Sequence, residues 1–255
     1  MAMTQPIIRV ENLSFSYNGL PVLEDVSLTV HEKEFLAFIG PNGGGKTTLI
    51  KLLLGLLKPD SGTIRIFEAA PEKAAHRIGY VPQDVAINKA FPISVLDVVL
   101  MGRLRFRGRA RLSRSDRKAA RDVLAEMEML EYQNRRIDDL SGGQRERVFI
   151  ARALATDPEI LILDEPTANL DNAGRTELYA ILKEINKTKT IMVVTHDMMV
   201  LSSYVSSVAC VNRSVHYHGE AELTEGMIES GYHCPVELIA HGIPHRILKT
   251  HKDQP

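Results

Sequence analysis

The run Gly40-Pro41-Asn42-Gly43-Gly44-Gly45-Lys46-Thr47 has the residue types and the order needed to hold a chain of phosphates. Glycines let successive backbone N–H groups curl around anionic oxygens, and a helix opening at Lys46-Thr47-Thr48 would offer its positive end to the same ligand. Lys46 supplies charge toward the β and γ phosphates, and the Thr47 hydroxyl suits Mg²⁺. A second run, from Ile160 to Asp164-Glu165, delivers adjacent carboxylates at the C-terminal end of an apolar strand, the edge where open α/β sheets bind ligands. Alternation along a strand should turn the two apart. Asp164 is therefore expected to hold Mg²⁺ through water, and Glu165 to polarise the water that attacks a γ-phosphate. The implied ligand is a nucleoside triphosphate and the implied cofactor Mg²⁺.

These groups need a frame. β-rich runs at 7–17 and 22–30 flank the turn-like Asn18-Gly19 and predict an antiparallel hairpin. The apolar run at 34–40 reads as a buried strand feeding the glycine loop, and the helix beyond it should stop before Lys58-Pro59-Asp60-Ser61-Gly62. Residues 89–157 carry helical patterns, with Ala119, Val123, Met127 and Leu130 near helical spacing. Strand, helix, strand and strand then alternate to residue 212, which argues for a mainly parallel sheet. The expected fold is α/β, a P-loop NTPase (RecA-like) core with an N-terminal antiparallel β subdomain and an inserted α-helical subdomain. The core spans 1–88 and 158–212, the insert 89–157 and a histidine-rich tail 213–255.

Composition agrees. In 255 residues, 44% are hydrophobic and 25% charged, with a net charge of -1, which argues against a dedicated nucleic-acid binder. Cys210 and Cys234 form no metal-like or redox pair, so a reducing compartment is expected. The opening residues turn polar too soon for a signal peptide. The apolar stretches at 49–57 and 158–166 fall short of the roughly 20 residues that cross a bilayer.

Leu140-Ser141-Gly142-Gly143-Gln144, upstream of the Asp-Glu pair, resembles the signature motif of ABC ATPases. The resemblance covers residues 17 to 196 in order. Tyr17 resembles the aromatic that stacks on adenine, and Gln83 the glutamine between core and helical subdomain. Asn169-Leu170-Asp171 resembles the loop that crosses the dimer interface, and His196 the switch histidine. The family implies ATP as the substrate and Glu165, His196 and Gln83 as the catalytic set, with Thr47 and Gln83 as direct Mg²⁺ ligands. It also implies a head-to-tail dimer in which Ser141, Gly142, Gly143 and Gln144 face the nucleotide of the other copy. Gly44 stands where many relatives carry Ser or Ala; glycine keeps the backbone donor, so little effect is expected.

Two further regions bear on partners. Residues 103–118 hold seven arginines and one lysine against one aspartate, a run that reads first as a solvated face, then as a surface for a membrane subunit or anionic lipid, and last as a nucleic-acid contact, since Phe106 alone could stack on bases. The tail holds His216, His218, His233, His241, His245 and His251, with Cys234 beside His233, in no tight zinc spacing. On a strand His216 and His218 would share a side, and on a helix Cys234 and His241 would. The tail resembles that of ATPase subunits from bacterial zinc and manganese importers. That resemblance implies separate integral-membrane permease subunits, an extracytoplasmic metal-binding protein, and a place on the cytoplasmic face of a bacterial membrane, with no nucleic-acid partner. Transport of an iron complex or another solute, a non-transport ABC ATPase and a metal-sensing ATPase are the other readings.

Overall fold

The computed structural model describes residues 5–83, 85, 92–104, 112–168, 170–196 and 203–218. Alternating apolar residues build the first hairpin from β1 (Pro6–Tyr17) and β2 (Leu20–His31). Asn18 and Gly19 both take positive φ, 51° and 79°, as the tight turn between twisted strands requires. A strand not expected from the sequence, β4 (Ser61–Ile66), joins the other side of β1, giving an antiparallel sheet in the order β2-β1-β4.

The second sheet has the order β5-β6-β7-β3-β8-β9. Its members are β3 (Phe35–Ile39), β5 (Ile78–Val81), β6 (Ile160–Asp164), β7 (Thr190–Val194), β8 (Ser207–Asn212) and β9 (Ser214–His218). The pairings from β5 to β8 are parallel and only β9 runs antiparallel. The central strands are buried on both faces, which explains their unbroken apolar runs. Residues 214–218, placed with the tail on sequence grounds, thus form the edge strand of this sheet.

One face packs on the antiparallel sheet and α1 (Lys46–Leu53) through Leu36, Phe38, Ile50 and Leu53. The other packs on the helices: α3 (Val95–Met101), α4 (Arg114–Glu126), α5 (Gly142–Leu154) and α6 (Asn172–Asn186). A short α2 (Pro71–Ala74) follows β4. Along α4 Ala120 and Leu124 are buried and Val123 packs against the core; Met127 at its end is buried as expected, and Leu130 is exposed. Its capping box on Ser113 and Asp116 sets where the helix begins. Among the described residues no helix is long and apolar enough to cross a membrane.

Candidate nucleotide site

The sheet brings the C-terminal ends of β3, β6 and β7 side by side, so three sequence-distant segments meet at one edge. The loop after β3 wraps into α1 with Gly40, Gly43 and Gly45 at positive φ. A Cβ at Gly40 would stand 2.1 Å from the Val211 carbonyl oxygen. Only glycine fits that approach.

Lys46 is buried, and its Nζ donates to the Gly40 and Pro41 carbonyls at 2.8 and 2.9 Å. Burial lowers its pKa, while the Glu165 and Asp164 carboxylates oppose that shift. The Thr47 hydroxyl donates to Asp164 Oδ2 at 3.2 Å. Burial raises the Asp164 pKa and neighbouring Glu165 adds to this; the Thr47 bond, Lys46 and Lys51 pull it back.

Glu165 sits beyond the end of β6 with a φ of 53°, a left-handed conformation that costs a non-glycine residue on the order of 1 kcal/mol. That backbone turn, as well as strand alternation, separates it from Asp164. Its two oxygens are clamped from opposite sides. Gln83 Nε2 donates to Oε2 at 2.8 Å, and His196 Nε2 lies 3.0 Å from Oε1. Gln83, Glu165 and His196 line one cleft with Asn42, Gly43, Gly45, Lys46, Thr47 and Thr48, of about 450 Å³, within the range of small-molecule sites. Val22 of β2 also lines it, a contact that sequence reasoning did not single out. Tyr17 lies at the hairpin end, 41% exposed and edge-on to Phe15, and is not among these lining residues.

A second cleft, about 530 Å³, surrounds the start of α5 and shares no lining residue with the first. Ser141 caps the helix in a capping box: its hydroxyl accepts from Gln144 N at 3.2 Å, and its N–H donates to Gln144 Oε1 at 3.0 Å. The amides of Gly142 and Gly143, at the first two helical positions, have no intrahelical acceptor, and the helix end makes them anion donors. Leu170 and Asp171 form the facing wall; Asp171 caps α6 by accepting from Gly174 N at 2.8 Å, while Asn169 lies outside the described residues. Arg147 ties the wall together, donating to Glu128 and Glu177 at 2.7 Å each.

A Cβ at Gly44 would stand 2.7 Å from the Val211 carbonyl oxygen, so the Ser or Ala of relatives requires a small local shift of this loop. Of the two partner regions, residues 105–111 and 219–255 lie outside the described residues, including His233, Cys234, His241, His245 and His251. Arg103 is held by Asp116 at 3.0 Å, and His216 is exposed on β9. Among the described residues no cluster of three or more metal-ligating side chains occurs.

Comparison with known proteins gives one direction. A family model described as "ABC transporter" matches residues 23–168. The chain is 41% identical over 221 residues to the zinc uptake system ATP-binding protein ZurA of Listeria innocua, covering 84% of this chain and 86% of that protein. It is 43% identical to the manganese transport system ATP-binding protein MntB of Bacillus subtilis over 77% of this chain and 80% of that one. Among solved structures, a dimeric post-hydrolysis ATP-binding cassette bound to ADP and Pi superposes with a TM-score of 0.69 at 28% identity, covering 85% of this chain and 100% of that chain.

Proposed function

The chain belongs to the ABC transporter family, and from that premise we propose that it is the ATP-hydrolysing subunit of an importer of a divalent transition metal, zinc first and manganese second. The observation that carries the ATPase reading is the clamp on Glu165 above the Lys46-Thr47 cradle. The metal assignment rests on the relatives' own transport roles. Cargo identity then resides in partners: permease subunits in the membrane and an extracytoplasmic binding protein. The chain works at the cytoplasmic face of a bacterial membrane.

Hard oxygen donors at Thr47 and Asp164, 3.2 Å apart beside the glycine cradle, fit Mg²⁺ chemistry. Thr47 and Gln83 would hold the ion directly and Asp164 through water. Bound there, Mg²⁺ neutralises charge on the outer phosphates. Lys46 exchanges its Gly40 and Pro41 carbonyls for phosphate oxygens, and Tyr17 stacks on the base. Glu165 accepts the proton of the attacking water, with Gln83 and His196 fixing its two oxygens; His196 also reaches the γ-phosphate.

The phosphate cleft and the signature turn of one chain share no lining residue, which supports a nucleotide site completed between two copies arranged head to tail. Ser141, Gly142, Gly143 and Gln144 of one then cap the nucleotide on Lys46 of the other, and hydrolysis releases the closed dimer. Uptake of zinc and manganese, with iron as control, is measured in cells lacking the gene and complemented with wild type or Lys46→Ala. Loss of zinc or manganese uptake, rescued only by wild type, is expected. Unchanged uptake of all three metals overturns the importer reading and leaves the ATPase.

A further inference from the structure

The turn between β8 and β9 touches the phosphate loop from behind. Arg213 N–H donates to the Gly44 carbonyl at 3.0 Å, and the Val211 carbonyl crowds both Gly40 and Gly44. Gly44 is held from its other side as well, since its N–H donates to Pro41 O at 3.1 Å. A trans peptide is planar, with its C=O and the following N–H pointing opposite ways. Anchoring the Gly44 carbonyl on Arg213 therefore aims the Gly45 N–H away from the turn. Gly45 lines the phosphate cleft.

The turn is itself fixed. Arg213 has a φ of 59°, and its carbonyl accepts from Glu24 N at 2.8 Å, binding it to β2. Further along β9, the Tyr217 hydroxyl donates to the buried Glu34 carboxylate at 2.8 Å; Ser207 of β8 donates to the same oxygen, and His31 N donates to the other at 2.7 Å. None of these contacts belongs to the phosphate-loop motif.

We propose that the β8–β9 turn is a positioning element of the phosphate site, with Arg213 acting through its left-handed backbone and its N–H to orient the Gly44–Gly45 peptide for phosphate binding. The inference rests on the ATPase reading and adds to it an ATP-affinity determinant outside the motifs.

The test uses the purified full chain and titrates MgATP into wild type, Arg213→Val and Arg213→Asn, with unfolding followed without nucleotide. Asn and Val both remove the charge of Arg213, but only Asn readily keeps a left-handed φ. Arg213→Val should raise Kd for ATP about tenfold, the scale of one disfavoured backbone state. Arg213→Asn should stay within about twofold, because its backbone is retained. At saturating ATP, kcat should fall less than affinity does. Equal weakening by Val and Asn would sink the inference, as would wild-type affinity in Arg213→Val; in either case the ATPase stands. A wild-type chain that binds no ATP takes both readings down.

Discussion

The phosphate cleft and the signature cleft solve anion binding in opposite ways. The first is assembled from residues 22 to 196, and its charges are already engaged: buried Lys46 by backbone carbonyls, buried Asp164 by Thr47, and half-buried Glu165 by Gln83 and His196. The second is local. Its donors come from the start of one helix, where a capping box links Ser141 and Gln144 within a single turn. Chemistry that cleaves a bond needs several groups from different strands at one point, whereas a helix end binds an anion with backbone alone. The comparison predicts that damage to the first cleft removes binding or chemistry, and that damage to the second spares ATP binding by the single chain.

The sharpest way to break that contrast is Lys46→Ala. It leaves Asp164 and Glu165 without their buried counter-charge, and ATP turnover should fall by about 10²–10³-fold or more, with weakened ATP binding in a titration. Next, Glu165→Gln should lower turnover by roughly 10²–10³-fold while MgATP binding persists, so that an ATP-bound dimer accumulates on a sizing column. Normal turnover in that variant would remove Glu165 from its assigned role. Ser141→Ala removes the cap of α5 at about 1 kcal/mol of stability. Denaturant midpoints should show this modest loss; dimer formation and turnover should drop, but the single chain should bind ATP as wild type does.

The smallest effect concerns Glu146, on the same helix as the signature turn. Burial pushes its pKa up to about 7 from an ordinary 4.5. Between those values the folded state holds a proton that the unfolded state has released, so this group's contribution to stability declines as pH rises through that window. Glu146→Gln should therefore gain melting temperature over wild type at about pH 8 and little at about pH 5. A gain independent of pH would assign the effect to packing instead.

Legibility followed the same divide. The loop from Gly40 to Thr47, the pair Asp164-Glu165 and the Ser141 turn were readable because each is a short run whose local geometry performs its task. Strands β4 and β5 were not predicted: β4 has a single short alternation, Thr63 to Ile66, and β5 only four residues, so their pairing partners decide their conformation. In α4 the expected Val123 and Met127 pack inward, but Ala120 and Leu124 are as deeply buried as Met127 and more so than Val123, a choice made by the elements they pack against.

By itself the sequence determined which residue types stand at each functional position, and that a parallel sheet would carry two of the runs to one edge. The periodicities and glycine runs that encode this are local. Only the tertiary structure decided that Gln83 and His196 grip the same carboxylate, that Arg147 bridges two elements, and that Gly40 is closed to a side chain by the carbonyl of Val211. Those contacts join backbone and side-chain atoms far apart along the chain, and their distances depend on how the sheet stacks its strands.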